Sequence, residues 1–261
     1  MGRRECLLAL SGLLLMAGWL PVATAGAALA DAVARIKPSV VIVGTYRATD
    51  NPRFQLRGTG FVVGDGLQVV TNAHVLPETT GLSDAPALVV QVRSGDGQWL
   101  MRAAQRLAIN EEHDLAVLRM EGPAVPALRL GDSGRVREGD DMAFTGFPIG
   151  GVLGYSPVTH RATVSSITEA ALPSPSARQL QGRAVRGLRN GTFEIFQLDA
   201  TAYPGNSGGP LFDPQTGEVM GVVNMVLIKG TRESALSQPS GISYAIPVEH
   251  VKALLDRAAP R

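Results

Sequence analysis

A succession of short apolar runs, rich in Val, Ile and Phe and broken by Gly, Asp, Asn and Pro, sets the strongest limit on how this chain can fold. The first group is Val40–Thr45, Gly60–Val63, Gln68–Thr71, Leu88–Val92 and Leu115–Arg119. The second is Met142–Gly146, Ala162–Ile167, Phe193–Leu198, Gly209–Phe212, Val219–Val226 and Ile242–Ile246. Runs of this length with turn residues between them, and no long helical pattern, predict an all-β protein. The 261 residues are enough for two barrels, divided near Gly122–Val125. Helices are expected only at the margins. Asp31–Lys37 reads as a short helix stopped by Pro38, because the residue before a proline avoids the helical region. After Pro247, Val248, Val251, Leu254 and Leu255 recur at helical spacing, which predicts an amphipathic C-terminal helix packed on the second barrel.

Chemistry concentrates in Tyr203-Pro-Gly-Asn-Ser-Gly-Gly-Pro-Leu-Phe-Asp213, where Ser207 sits in a glycine-rich turn that runs into a strand. A serine hydroxyl becomes a useful nucleophile only when a base takes its proton and backbone N–H groups hold the developing oxyanion. Gly205 N–H and Ser207 N–H are the candidate oxyanion donors, with Asn206 between them. The candidate base is His74 in Val69-Val-Thr-Asn-Ala-His-Val75, and the candidate orienting acid is Asp114 in His113-Asp-Leu-Ala-Val-Leu118. Their order along the chain, His then Asp then Ser, is that of the chymotrypsin-like fold. With the barrels divided near Gly122–Val125, His74 and Asp114 fall on one and Ser207 on the other, so the site belongs in the cleft between them. Of the other histidines, His160 lies in a strand and His250 in the terminal helix, both read as structural or exposed. His113 adjoins Asp114, and neighbours on a strand point to opposite faces, so it is not expected to share the Asp114 contact. Glu111 and Glu112 read as exposed turn residues. No His-x-x-x-His pair and no calcium-type carboxylate loop is present, so neither a metal nor another cofactor is expected.

Six blocks give the chain a resemblance to trypsin-like serine proteases of the HtrA/Deg type, the bacterial envelope quality-control proteases. They are Gly58-Thr-Gly-Phe-Val-Val63, Thr71-Asn-Ala-His-Val75, Asp114-Leu-Ala-Val-Leu118, Leu130-Gly-Asp-Ser133, Gly205-Asn-Ser-Gly-Gly-Pro-Leu211 and Ile242-Ser-Tyr-Ala-Ile-Pro247, and together they cover roughly residues 33 to 256. The resemblance implies two chymotrypsin-like six-stranded β-barrels and a serine endopeptidase acting on polypeptide substrates. It also places the floor of a specificity pocket at Thr201 and its walls at Asn224, Met225, Val226 and Ile242. With no carboxylate at Thr201 and an isoleucine at Ile242, that pocket is expected to take small aliphatic side chains and reject Lys and Arg. Many trypsin relatives carry an acid just before the nucleophile, where it pairs with a freshly cut N-terminus. Asn206 stands there, so activation by propeptide cleavage is not expected. HtrA proteins usually continue into PDZ domains, whereas this chain ends at Arg261, so PDZ regulation within the polypeptide is not expected either. HtrA-like trimers use an aromatic in an N-terminal segment, and residues 31–39 contain none, which leaves the oligomeric state open.

Residues 1–30 read as a signal peptide and 31–261 as the peptidase domain. Arg3 and Arg4 precede an apolar run from Leu7 to Leu20, Pro21 breaks it, and Ala23-Thr-Ala25 and Ala28-Leu-Ala30 both fit a cleavage site. Membrane attachment is expected only if this segment is retained. Cys6, the single cysteine, lies within it, so the mature chain has no thiol for a disulfide or a metal site. Without residues 1–30 the chain carries 22 basic and 22 acidic side chains, which gives no electrostatic footprint for nucleic acid. The expected location is periplasmic or secreted. Two stretches read as loops, the basic Pro173–Thr192, with Arg178, Arg183, Arg186 and Arg189, and the polar Lys229–Gly241. The expected function is hydrolysis of unfolded or damaged proteins. The competing readings are a protease-fold binding or chaperone module without turnover, and a narrow-specificity processing or secreted protease.

Overall fold

Alternate residues of each central strand enter different cores, and this division builds the molecule. The computed structural model describes residues 25–77, 85–148, 154–170, 193–225 and 241–258. Helix α1 (Ala25–Ile36) leads into β1 (Val40–Tyr46), β2 (Phe54–Val63), β3 (Gln68–Asn72), β4 (Ala87–Arg93), β5 (Trp99–Asn110) and β6 (Leu115–Met120). The second half holds β7 (Asp141–Gly146), β8 (Val158–Ala170), β9 (Phe193–Asp199), β10 (Pro210–Phe212), β11 (Val219–Asn224) and β12 (Ile242–Pro247), then helix α2 (Val248–Ala258). Each set of six closes into an antiparallel barrel, in the orders β1-β2-β3-β6-β5-β4 and β10-β11-β12-β9-β8-β7. Going round each ring, the second order repeats the first, although the sequence carries no repeat. Closure leaves neither barrel with a free sheet edge.

Along β1, Val41 and Val43 point into the first barrel with Val62, Val69, Ala116 and Leu118. Val40 and Ile42 point the other way, into a second core with Phe61, Val63, Leu115 and Val117. That core crosses to the other barrel through Phe212, Val222 and Ile246, and takes in Ile36 of α1 and Val251 of α2. The period-2 geometry of a strand thus gives the central strands two buried faces, and for this reason they read as unbroken apolar runs. A third core, with Phe144, Val164, Phe196, Leu198 and Val223, fills the second barrel. Each large side chain fully buried in these cores contributes about 1.5–3 kcal/mol over leaving it exposed.

Three sequence expectations need correction. Strand β5 is absent from the expected runs, because Trp99-Leu-Met-Arg-Ala-Ala-Gln-Arg-Leu-Ala-Ile-Asn110 is rich in helix formers and only Ala104 among them is buried. Pairing with β4 and β6 overrides that local preference. Helix α1 begins at Ala25, earlier than Asp31, since Leu29, Ala32, Val33 and Ile36 form one apolar stripe against the shared core. Helix α2 does not sit on the second barrel alone; it packs against β5 and β6 of the first as well as β11 and β12. The loops expected at 173–192 and 229–241 lie outside the described residues, apart from Gly241, and so do residues 1–24.

The seat of α2 against the first barrel is aromatic. His250 stacks on His113 with ring centroids 4.0 Å apart, and Phe193 meets both rings edge-on. His113, on the turn between β5 and β6, is also hydrogen-bonded to Asn110. Burial, then the charge of Arg257, pushes the His113 pKa down. Burial and His113 push His250 down to about 4, against the opposing pull of Glu249 and Glu112. The fold therefore favours the neutral rings. Their contribution is fully present above the ordinary histidine value of about 6.5 and is lost as pH falls toward 4, because the unfolded chain binds the protons first. His250→Phe, which keeps a ring in the stack, should flatten this dependence: the urea midpoint of the variant should drop less than that of the parent between pH 7 and about 4.5. Parallel declines in the two proteins would remove His250 from the acid sensitivity.

Candidate active site

His74 and Asp114 come from one barrel, and their geometry follows from how two strand ends meet. Asn72 ends β3, and His74 sits in the short 3-10 turn Ala73–Val75 beyond it. Asp114 immediately precedes β6, which pairs with β3 through Asn72↔Leu115. The register alone brings the two segments side by side. Asp114 has φ 49°, a left-handed conformation that Asp tolerates better than most residues. The Asp114 carbonyl accepts from Ala73 N–H at 3.0 Å and Asn72 Nδ2 at 2.9 Å. Its carboxylate accepts His74 N–H at 2.8 Å on Oδ1 and meets His74 Nδ1 at 2.5 Å on Oδ2. From the other side, Arg57 of β2 donates to the carbonyls of Val75 and Leu76.

A nitrogen facing a carboxylate carries the proton, so the neutral His74 ring is a donor at Nδ1 and a base at Nε2. The Asp114 carboxylate is nearly buried, and a buried charge must be paired to be tolerated. The second barrel supplies the remaining partner: Asn224, at the end of β11 and 0% exposed, donates from Nδ2 to Asp114 Oδ2 at 2.7 Å. Asn224 was expected in the wall of the specificity pocket. Its amide also binds the acid, because β11 ends where the two barrels meet.

Ser207 lies in the turn between β9 and β10, 5% exposed, with its carbonyl accepting Thr59 N–H of β2 at 2.9 Å. Gly208 has φ 86°, and a Cβ there would run into the Thr59 carbonyl and the Thr71 hydroxyl, so no larger residue fits where the turn crosses the first barrel. Among the described residues, neither Gly205 N–H nor Ser207 N–H donates to a protein group, while Asn206, Gly208 and Gly209 N–H all do. Two nearby donors left open beside a serine are what oxyanion binding requires. Among the described residues no hydrogen bond joins the Ser207 hydroxyl to His74; catalytic contacts of this kind often close only around substrate. The Asn206 side chain is fully buried, with neither amide atom partnered among the described residues.

The other histidines take aromatic partners instead. His113 and His250 form the stack described above, and His113 turns away from the Asp114 carboxylate although the two are neighbours in a turn, not along a strand. His160 stacks on Phe144, and burial lowers its pKa. Glu111 and Glu112 lie exposed in the same turn as His113.

Of the pocket residues, Thr201 is half-buried in the segment after β9, and Met225 packs on the core of the second barrel. Ile242 is 43% exposed at the start of β12, paired with Asp199. Val226 lies outside the described residues. Sequence reasoning missed Ser243. Its buried hydroxyl donates to the Ala200 carbonyl at 2.6 Å and accepts Ala202 N–H at 2.9 Å, which pins Thr201 between them. It also missed the partnership of Asn224 with Asp114, for which no local signal exists. Among the described residues no group of three or more His, Cys, Asp or Glu side chains is placed to hold a metal ion.

The family model for the trypsin-like peptidase domain matches residues 58–222, a span that contains His74, Asp114 and Ser207. Serine protease HTRA2, mitochondrial, from Drosophila pseudoobscura pseudoobscura is 31% identical over 239 residues, 89% of this chain and 48% of the relative. This chain is a trypsin-like peptidase family member of the HtrA type. The HTRA2 protein of Drosophila willistoni is 33% identical over 204 residues, 78% of this chain and 39% of the relative. The chain thus spans about half the length, or less, of these curated relatives. Among solved structures, the HtrA-type protease AlgW with tripeptide superposes with a TM-score of 0.63 at 27% identity, covering 87% of this chain and 62% of that one. Deg5 superposes with a TM-score of 0.63 at 24% identity, covering 87% and 91% respectively, and shares the fold.

The hydrogen bonds on Asp114 order the expected losses. Asp114→Asn should retain the fold but lower kcat on a peptide substrate by about 10⁴-fold, because the amide favours the wrong His74 tautomer. Asn224→Leu removes one donor from a charged acceptor, worth about 1.5–3 kcal/mol, and should lower kcat by roughly ten- to a hundredfold. Steady-state kinetics on both variants check the order; an Asn224→Leu enzyme as fast as its parent would separate Asn224 from the site.

Proposed function

We propose that this chain is an exported serine endopeptidase that cleaves unfolded or damaged polypeptides through an acyl-enzyme on Ser207. His74 is the general base and Asp114 its orienting acid. The observation that carries this reading is the Asp114 carboxylate bound to His74 through Nδ1, beside a serine turn with two open N–H donors. In the proposed reaction Ser207 Oγ attacks the scissile carbonyl while His74 Nε2 takes the hydroxyl proton. Gly205 N–H and Ser207 N–H hold the oxyanion, and the protonated His74 returns its proton to the leaving amine. Water then enters by the same route and releases the acid product.

The proposed pocket has Thr201 as its floor and walls from Asn224, Met225 and Ile242; Val226, also expected there, lies outside the described residues. The Ser243 clamp supports this placement of Thr201, since it fixes the backbone on both sides of that residue. A neutral floor offers a cationic side chain no partner, so Val, Ala or Ile is the proposed preference before the cut. A fluorophosphonate probe should label the protein but not Ser207→Ala. A peptide library should show cleavage after small aliphatic residues, lost in Ser207→Ala, and Ile242→Gly should extend acceptance to Phe and Leu. Dominant cleavage after Arg or Lys would sink the pocket, and a protein that binds unfolded chains with no Ser207-dependent turnover would be the chaperone module instead.

Export rests on the charged start, apolar run and small residues of the first 30 positions. Among the described residues no helix is long and apolar enough to cross a membrane. The curated relatives carry a mitochondrial label, which speaks of their own addresses. Because Leu29 packs against the shared core, cleavage after Ala25 leaves that contact in place, whereas cleavage after Ala30 removes it. N-terminal sequencing of the processed protein should therefore begin at Gly26; a chain that still begins near Met1 and partitions with membranes would argue for a retained anchor.

A further inference from the structure

The open N–H groups of Gly205 and Ser207 belong to two peptide planes of one turn, and their aim depends on what holds the planes between and beside them. The plane of Gly205 and Asn206 is held at one end by Asn206 N–H, which donates to the Tyr203 carbonyl at 2.9 Å. At its other end the Gly205 carbonyl accepts from the Thr59 hydroxyl at 2.6 Å. The plane of Ser207 and Gly208 is held by Gly208 N–H to the Val223 carbonyl, and by Thr59 N–H to the Ser207 carbonyl, both at 2.9 Å. One residue of the first barrel therefore fixes the two planes that flank the one carrying Ser207 N–H. It also restrains Gly205, whose φ of 105° lies where glycine rotates most freely.

Thr59 is itself fully committed. It is 0% exposed, its hydroxyl accepts Phe147 N–H at 3.0 Å, and its carbonyl accepts from the Thr71 hydroxyl at 2.7 Å. Phe147 follows β7, so the hydroxyl ties two separate segments of the second barrel to β2. Gly146 adds a steric limit, because a Cβ there would lie 2.7 Å from Asn206 Oδ1 and 3.0 Å from Thr59 Oγ1. The Ser207 turn can reach the Thr59 hydroxyl only because this neighbour has no side chain.

We infer that Thr59 is a positioning residue for the oxyanion site: its hydroxyl, through the Gly205 carbonyl, sets the direction of the Gly205 and Ser207 N–H donors across the barrel interface. The inference rests on the protease reading and deepens it. Thr59→Val keeps the shape and deletes the hydroxyl, whereas Thr59→Ser keeps the hydroxyl.

The test uses the full processed chain, a fluorogenic peptide with Val before the cut, and fluorophosphonate titration to count active sites. Removal of a whole oxyanion donor costs about 10²–10³-fold in kcat, so a misdirected pair should cost less, about ten- to a hundredfold per titrated site. KM should stay within about threefold, and Thr59→Ser should restore most of the loss. A merely structural role would lower the titrated fraction and leave kcat per site untouched, and that result would overturn the inference. Equal losses in Thr59→Val and Thr59→Ser would also overturn it. If Thr59→Val does not fold by circular dichroism, Thr59→Ala against Thr59→Ser makes the same comparison. A parent protein with no Ser207-dependent turnover would fail the protease reading separately. In that case amide exchange over 203–209 still decides the clamp: it should quicken without the hydroxyl, and unchanged exchange would refute it.

Discussion

The interface between the barrels turns on one carboxylate. Asp114 brings a charge into a nearly closed site, an unfavourable transfer unless both oxygens find donors. Its own barrel provides the backbone N–H and ring of His74, and the opposite barrel provides Asn224. Charge-assisted bonds of this kind are about twice as strong as neutral ones, and they lose most of their worth if one donor moves away. The pairing of β3 with β6 therefore does two things at once. It builds the barrel wall, and it delivers a carboxylate to the edge where the second barrel must dock to complete its coordination.

The serine turn obeys the same logic with neutral groups. A glycine-rich segment costs more conformational entropy to order than other residues, so a turn that needs glycine for its shape must be fixed by its surroundings. Here the carbonyls of Gly205 and Ser207 are held from β2, and the N–H of Gly208 from β11. Two N–H groups are left over. The neighbouring backbone N–H groups of Asn206, Gly208 and Gly209 are all used, so the two open donors form a local gap in the backbone hydrogen-bond pattern of the turn.

Much of this was legible in the sequence, and the division has a physical cause. Strands with two buried faces, such as β1 and β11, show themselves as continuous apolar runs, and the barrels, the C-terminal helix and the three motif residues followed from such runs and the glycine turn. Strand β5 did not, since it keeps much of its surface exposed and is written in helix-forming residues. Only its partners make it a strand. Asn224 and Ser243 escaped for a related reason: each acts on a residue far away in the chain, and nothing in the flanking sequence marks a polar side chain that will be buried against a distant partner. Thr59 stood inside a recognisable Gly-Thr-Gly block, but only the crossing of β2 over the serine turn gives its hydroxyl an acceptor.

The four histidines show how environment assigns roles that composition cannot. His113, His160 and His250 are each pushed toward the neutral form by burial, and serve as flat aromatic surfaces against Phe193, Phe144 and one another. Among the described residues, His74 is the one whose ring is hydrogen-bonded to a carboxylate. Neutral stacked rings gain from being dry, whereas a general base needs a partner that tolerates its protonated form. The turn from Glu111 to Asp114 supplies both kinds of setting within two consecutive residues, His113 to the helix seat and Asp114 to His74. The seat of the C-terminal helix and the acid of the site thus occupy neighbouring positions of one turn, each fixed by its own set of partners.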